Sequence, residues 1–267
     1  MSFQKLSSLI TQKRSFLCVG LDPDLSKLPS QFPQNIVGIR DFLKIVVENT
    51  EEFAVAYKVN AAFFEALGIE GWRLMDEVAN FLPTSCYLIA DAKRGDIGNT
   101  GEKYAQAFLE NMPFDSITFS PYMGEDSVAP FIQNPSKSAF ILALTSNSGS
   151  SDFKLLNFDG KRLFEHVIAK GEEWSKKYPG TVGYVMGATR PEYLSDARKI
   201  AEEAFLLVPG VGAQGGTLEE VARCAGNKNF IVNSSRQILF PSLENDSFEN
   251  AVSRQAKKLF ESMQKYF

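Results

Sequence analysis

Residues 87–97 are the segment whose residue types and spacing most clearly could support catalysis. An apolar run there ends in alternating charges. Asp91 and Lys93 stand two positions apart, and strand side chains alternate, so both should point to the same side. Lys58 ends another apolar run, and Asp96 begins the next predicted helix. We expect a network Lys58–Asp91–Lys93–Asp96 that keeps the lysines charged and fixes their positions. A lysine held in this way can stabilise developing negative charge and donate a proton. From residue types alone, a solvated salt-bridge cluster is an equally good interpretation.

A second candidate is the glycine-rich segment 208–216, VPGVGAQGG, between a predicted strand and a predicted helix. Gly210, Gly212 and Gly215 match the GxGxxG spacing, but the acidic residue that dinucleotide sites carry about 20 positions later is missing. Backbone amides at a helix N-terminus bind phosphate in either case. The segment 233–236, NSSR, adds hydroxyls and a guanidinium. The two segments together predict a phosphate site, with a purely structural loop as the alternative.

A third candidate is the polar stretch that runs from the end of a predicted strand at Leu144 to about Gly160 and contains Ser148. Long loops at a functional rim are often lids. A flexible surface loop fits the composition equally well.

The single histidine, His166, restricts the catalytic possibilities. It falls within the predicted helix 161–178, away from every strand end. We therefore expect His166 to be a packing or surface residue, and the proton donor to be a lysine.

Composition narrows the class of protein. The chain has 267 residues with 28 Lys and Arg against 32 Asp and Glu, a net charge of −4, which argues against a nucleic-acid surface. Cys18, Cys86 and Cys224 are isolated, as expected of buried thiols in a reducing compartment. No apolar run reaches the ~18 residues of a membrane-spanning helix, and the N-terminus lacks a signal-peptide core. We expect a cytoplasmic protein that binds neither nucleic acid nor membrane.

Short apolar runs alternate with helical stretches along the chain. The predicted strands are 16–21, 55–60, 87–91, 116–119, 139–144, 182–186, 205–208 and 230–233. The predicted helices are 37–51, 61–81, 98–110, 127–132, 161–178, 191–203, 218–225 and 247–266. Eight β–α units without a linker favour an α/β fold, a (β/α)8 TIM barrel forming a single domain over residues 1–267. A doubly wound open sheet is the alternative. Polar residues after most strands predict a site at one barrel mouth.

Ordered motifs along nearly the whole chain resemble those of the orotidine 5′-phosphate decarboxylase family, in its longer bacterial branch. They are VGLDP at 19–23, Lys58, DAKRGDIGNT at 91–100, Ser148, PGVGAQG at 209–215 and Arg236. The resemblance implies a homodimer that converts orotidine 5′-monophosphate to uridine 5′-monophosphate (UMP) and CO2 without a metal or organic cofactor.

The same resemblance assigns roles to individual residues. Asp22 and Lys58 would contact the ribose, Asp91 would face the departing carboxylate, and Lys93 would protonate C6. Asp96 and Thr100 would reach across the dimer interface to the ribose of the neighbouring site. Ser148 would contact the pyrimidine, although the run SNSGSS at 146–151 offers other registers. Gln214 and Arg236 would hold the phosphate, and Pro209, Gly215 and Ser235 in the same two loops would also bind the substrate.

Three alternatives remain open at this point. The metal-dependent relatives, 3-keto-gulonate 6-phosphate decarboxylase and hexulose phosphate synthase, share a similar third-strand motif but carry a Glu where this chain has Lys58. An ammonium beside a divalent cation is repulsive, which favours the metal-free branch. A nucleotide-binding barrel without catalysis should have lost part of the lysine–aspartate network. The third alternative, a dinucleotide-dependent oxidoreductase, is supported by the GxGxxG match alone.

Overall fold

Eight parallel strands close into a barrel in the computed structural model, which describes residues 2–212, 215–226, 229–243 and 246–267. Strands β1 to β8 are Leu17–Leu21, Ala56–Asn60, Tyr87–Arg94, Ser116–Phe119, Ser138–Leu144, Thr181–Met186, Leu206–Pro209 and Phe230–Ser234. Each strand pairs with the next in sequence, and β8 pairs with β1. The fold is therefore the predicted (β/α)8 TIM barrel, and the open-sheet alternative is wrong.

Helices follow the strands and form the outer layer. Helices α1 to α11 are Ser2–Lys13, Ile36–Glu48, Ala61–Glu65, Gly68–Phe81, Gly98–Ala105, Glu125–Ile132, Leu163–Lys177, Glu192–Ile200, Leu218–Ala225, Arg236–Leu239 and Phe248–Met263. A π-helical segment, Gln106–Asn111, extends α5. None of the described helices is long and apolar enough to cross a membrane.

The amino-terminal end of the barrel is closed by α1, a helix that the sequence analysis missed. Phe3, Leu6 and Ile10 form its buried face. The Phe3 ring lies 5.1 Å from that of Phe140 and 4.9 Å from that of Phe205, residues at the starts of β5 and β7. Because this end is filled by apolar side chains, the opposite, carboxyl end is the open one.

The predicted helix over 61–81 and the polar stretch after β5 differ from the structure in ways that matter for the barrel mouth. The single helix expected over 61–81 is divided into α3 and α4, because Gly68 takes a φ of 69°, which a right-handed helix cannot continue through. The polar stretch after β5 holds the 3-10 helix Ser148–Asp152 and an antiparallel pair of short strands, Asn157–Phe158 and Lys161–Arg162. This stretch therefore contains regular secondary structure and is not an irregular loop.

Candidate functional site

A cavity of about 410 Å³ opens at the carboxyl end of the barrel. Every strand supplies part of its wall, either from its last residues or from the loop that follows. The polar wall residues are Asp22, Asp24, Lys27, Lys58, Asn60, Asp91, Lys93, Thr118, Thr145, Ser146, Asn147, Asn233, Ser234, Ser235, Arg236 and Gln237. Its apolar wall includes Leu142, Val185 and Leu207. A cavity lined by apolar groups and a few convergent charges is the usual form of a small-molecule site.

The charged centre of the cavity is the Asp91 carboxylate, which bridges two lysines. Lys58 Nζ donates to Asp91 Oδ2 at 2.8 Å, and Lys93 Nζ donates to Asp91 Oδ1 at 2.7 Å. The Lys58 side chain is 6% exposed and that of Asp91 11%, whereas that of Lys93 is 49% exposed. Lys58 is therefore enclosed in the protein, and Lys93 presents its ammonium to the open cavity.

Burial and charge oppose each other in setting the pKa values of this pair. Burial alone would raise the pKa of Asp91, but the neighbouring ammonium groups of Lys58 and Lys93 outweigh it and hold that pKa well below its usual range. Burial alone would lower the pKa of Lys58, but the carboxylates of Asp22 and Asp91 raise it above its usual value. The pair is therefore ionised across the physiological pH range.

The backbone at Lys93 departs from regular strand geometry. Lys93 has a φ of 50°, in the left-handed region that non-glycine residues rarely occupy. The pairing of β3 with β4 also shifts register between Ala90 and Arg94. Such strained conformations persist where the surrounding structure holds them, and they cluster at functional sites. Simple alternation predicted the correct side for Lys93, but a bulge in β3 sets its actual position.

Thr118 is a site residue that the sequence analysis missed. Its hydroxyl donates to Asp91 Oδ1 at 2.8 Å and accepts the backbone N–H of Lys93 at 3.1 Å. It therefore braces both the carboxylate and the bulge. The signal was present, because Ser116 and Thr118 alternate with apolar residues in a fully buried strand, which places polar groups on one face.

Asp22 connects this charged centre to the loop after β8. Ser235 Oγ donates to Asp22 Oδ2 at 2.5 Å. Asp22 Oδ1 lies 3.6 Å from Lys58 Nζ and is a buried oxygen without a hydrogen-bond partner among the described residues. An unpaired buried acceptor is costly, and the nearby Lys58 ammonium offsets part of that cost.

The two predicted phosphate loops also line the cavity. Pro209, the last residue of β7, lines the cavity together with Gly210 and Val211, and Arg236 lines it after β8. Arg236 is exposed and forms no ion pair with a carboxylate in the described ranges. Gly215 lies in the turn after Val211, where its N–H donates to the Gly212 carbonyl at 3.1 Å. Gln214 lies outside the described residues.

Four predicted site residues in the described part of the chain do not line the cavity: Asp96, Thr100, Ser148 and Gly215. Asp96 accepts the N–H of Ile97 at 2.8 Å and does not reach Lys93, so the expected fourth member is absent from the network within one chain. Thr100 is exposed in the first turn of α5. Ser148 begins a 3-10 helix, while Ser146 and Asn147 line the cavity. The contact of Ser148 with the pyrimidine therefore stays a prediction.

Lys154 supports this loop from behind. Its Nζ donates to Thr145 Oγ1 at 2.9 Å, and Thr145 Oγ1 donates to Asn147 Oδ1 at 2.6 Å. Burial lowers the pKa of Lys154 to about 8. No sequence pattern indicated Lys154. Its contact with Thr145, nine residues earlier, forms only because the loop folds back on itself.

His166 and the cysteines lie outside the cavity wall. His166 Nε2 donates to the carbonyl of Phe158 at 3.0 Å, which ties α7 to the short antiparallel pair. All three cysteines are free and buried, as predicted. Burial raises the pKa of the Cys18 thiol to about 12, with the Lys58 ammonium opposing the shift. Within the described ranges, no three His, Cys, Asp or Glu side chains are grouped to hold a metal.

Comparison with known proteins gives consistent matches. The model of the orotidine 5′-phosphate decarboxylase / HUMPS family matches residues 15–240. An orotidine 5′-phosphate decarboxylase of Flavobacterium johnsoniae is 47% identical over 256 residues, which span 94% of this chain and 93% of that protein.

Solved structures agree with the sequence match. The OMP decarboxylase of Leishmania donovani superposes with a TM-score of 0.87 at 35% identity, covering 99% of this chain and 98% of the other. The UMP synthase of Leishmania donovani superposes with a TM-score of 0.89 at 36% identity. This chain spans 56% of the length of that UMP synthase.

Proposed function

The chain belongs to the orotidine 5′-phosphate decarboxylase / HUMPS family, and on that premise we propose that it converts orotidine 5′-monophosphate to UMP and CO2 in pyrimidine biosynthesis. The observation that carries the proposal is the Asp91 carboxylate, held between Lys58 and Lys93 at the mouth of the barrel. The family includes metal-dependent members with other substrates, so the assignment depends on these side chains.

The proposed chemistry follows from charge. Loss of CO2 from C6 of the pyrimidine leaves an electron pair in the ring plane, which the ring π system cannot absorb. Lys93 is the half-exposed cation beside Asp91, suited to stabilise this pair and then to protonate C6. The N–H bond of Lys93 breaks as the C6–H bond forms, and the lysine leaves the step neutral. Asp91, which remains ionised, would face the departing carboxylate and raise the energy of the bound substrate.

The rest of the cavity suits a nucleoside monophosphate. Asp22 lines the cavity with a partly exposed side chain, and its carboxylate can accept a hydrogen bond from a ribose hydroxyl. Arg236 and the glycine-rich segment after β7 offer a guanidinium and backbone N–H groups for a phosphate dianion. Ser146 and Asn147 line the cavity in the loop that contains Ser148, and we propose that this loop supplies the contact with the pyrimidine. The phosphate supplies binding energy remote from C6, which helps to orient the ring.

We propose a homodimer in which Asp96 and Thr100 complete the site of the neighbouring subunit. Both residues lie outside the cavity of their own chain. The exposed apolar side chains Ile97, Tyr122 and Met123 occupy the loops after β3 and β4, on the same side as Asp96. An exposed apolar patch rimmed by polar residues is typical of an interface. We further propose one cytoplasmic barrel domain that needs no metal or organic cofactor.

The charge at the end of β2 supports the metal-free proposal. Lys58 holds Asp22 and Asp91 as ion-pair partners at 3.6 Å and 2.8 Å. A divalent cation on these two carboxylates would have to displace a buried ammonium, at a large electrostatic cost.

The test follows the ultraviolet absorbance of orotidine 5′-monophosphate with purified protein, with and without EDTA. The proposal expects loss of the substrate absorbance, formation of one UMP per substrate consumed and no effect of EDTA. Unchanged absorbance would reject the activity. Activity that EDTA abolishes and Mg²⁺ restores would assign the chain to the metal-dependent branch.

A further inference from the structure

Ser235 occupies a junction between the loop after β8 and the loop after β1. Its Oγ donates to Asp22 Oδ2 at 2.5 Å and accepts from Asn233 Nδ2 at 3.5 Å. A serine hydroxyl has one proton to donate. In this arrangement Ser235 donates that proton in its hydrogen bond to Asp22, so the proton is not available to a phosphate oxygen.

The contact fixes the direction of the Asp22 carboxylate. With Oδ2 bound to Ser235, Oδ1 is turned toward Lys58 Nζ, 3.6 Å away. Oδ1 is also the oxygen without a described hydrogen-bond partner. Hydrogen bonds to an ionised acceptor are about twice as strong as neutral ones. Ser235 and Lys58 together therefore hold Asp22 in one orientation, in which its partly exposed side chain lines the cavity.

Gly20 gives independent evidence that this geometry is built into the chain. A Cβ atom placed on Gly20 would lie 1.9 Å from Ser235 Oγ and 2.9 Å from Asn233 Oδ1. Real Cβ atoms do not come this close to other heavy atoms. The absence of a side chain in β1 is thus what allows the Ser235 hydroxyl to reach Asp22.

We infer that Ser235 is a positioning residue that orients Asp22 for the sugar of the ligand, and that its hydroxyl is not a phosphate ligand. This inference rests on the proposed function. It departs from the expectation that Ser235 contacts substrate through the phosphate loop. Since Arg236 is the next residue, the contact also ties the phosphate end of the cavity to the ribose end.

The experiment compares Ser235→Ala with a matched control, Ser85→Ala. Ser85 Oγ also donates to a carboxylate, Glu51 at 2.6 Å, but on the segment that leads into the start of β3. Kinetics with orotidine 5′-monophosphate are combined with inhibition by UMP and by inorganic phosphate. We expect Ser235→Ala to lower kcat/KM about tenfold to a hundredfold, mainly by raising KM. A hydrogen bond to a charged group contributes a free energy of this size. Inhibition by UMP should weaken similarly, and inhibition by inorganic phosphate should not change.

Further variants separate positioning from structural damage. Ser235→Thr retains the hydroxyl and should recover most of the loss, whereas Gly20→Ala should reproduce it by displacing Oγ. In an Asp22→Ala background, Ser235→Ala should have little additional effect, because both changes remove one interaction. Thermal unfolding of each variant identifies any that fail to fold.

Distinct outcomes would overturn the inference. Equal weakening of UMP and inorganic phosphate would make Ser235 a direct phosphate ligand. A full additional loss in the Asp22→Ala background would show that Ser235 does not act through Asp22. A crystal structure of Ser235→Ala with Asp22 unmoved would also reject positioning, whatever the enzyme's activity. Absence of turnover in the unaltered protein would reject the proposed function instead.

Discussion

Lys58 Nζ, at the end of β2, donates to Asp91 Oδ2, near the end of β3, across 2.8 Å. Both side chains are almost fully enclosed, with 6% and 11% of their surface exposed. The pair gains Coulombic attraction only against a desolvation cost, so its partners depend strongly on each other. Removing Lys58 leaves two carboxylates, Asp22 and Asp91, with Lys93 as their remaining cation, and removing Asp91 leaves Lys58 with Asp22 at 3.6 Å.

Replacement of Lys58 should therefore destabilise the protein. For Lys58→Met we expect a loss of about 3–5 kcal/mol in the free energy of unfolding, because Asp22 and Asp91 lose their shared cation. Urea denaturation measures the change. The control is Lys170→Met, which breaks an exposed ion pair with Glu173 and should cost at most about 1 kcal/mol. Equal effects of the two substitutions would contradict the assigned role of Lys58.

Replacement of Lys93 should remove turnover and spare binding. Lys93→Ala should lower kcat by at least about 10⁴-fold, because one group supplies both electrostatic stabilisation and the proton. Inhibition by UMP and inorganic phosphate should persist, since Arg236 is untouched. Lys103→Ala, on an exposed face of α5, serves as the control with unchanged turnover. Near wild-type turnover in Lys93→Ala would remove this lysine from the mechanism.

Acid should weaken the stabilising effect of Asp91. The folded protein holds the pKa of Asp91 below its ordinary value of 3.8, so the unfolded chain takes up a proton first as pH falls. The ionised carboxylate therefore stabilises the fold above about pH 4, and this contribution decreases below it. The measurement is urea unfolding of the unaltered protein and of Asp91→Asn between pH 5 and pH 2. As the pH falls, the unaltered protein should lose stability relative to the variant. A constant difference would show that Asp91 has the same pKa in both states.

Raising the pH should remove the destabilisation that comes from burying the charged ammonium of Lys154. The folded protein lowers the pKa of Lys154 from 10.5 to about 8. Between these values the unfolded chain binds more protons, so the stability contribution of Lys154 rises with pH. Relative to Lys154→Met, the unaltered protein should gain stability from pH 8 to pH 10 in urea unfolding. If the gap between the two proteins stays constant over that range, Lys154 is not desolvated in the folded state.

The closed barrel and the general place of the site could be predicted from the sequence. Eight buried apolar runs separated by helical stretches permit few architectures, and polar residues after the runs must gather at one end of a parallel barrel. Asp91 and Lys93 belong to this class, because their spacing alone places them on one side of a strand. Local pattern and covalent spacing were sufficient for these features.

The tertiary structure decided which side chains actually touch. The left-handed backbone at Lys93, the brace from Thr118 and the link from Ser235 to Asp22 depend on neighbouring strands. The loop register that places Ser146, and not Ser148, at the cavity depends on how the chain folds back. Such contacts join residues far apart in sequence, and their geometry is set by close packing of the whole barrel. The sequence alone thus determined the barrel and the types of group at its mouth, and only packing determined their partners.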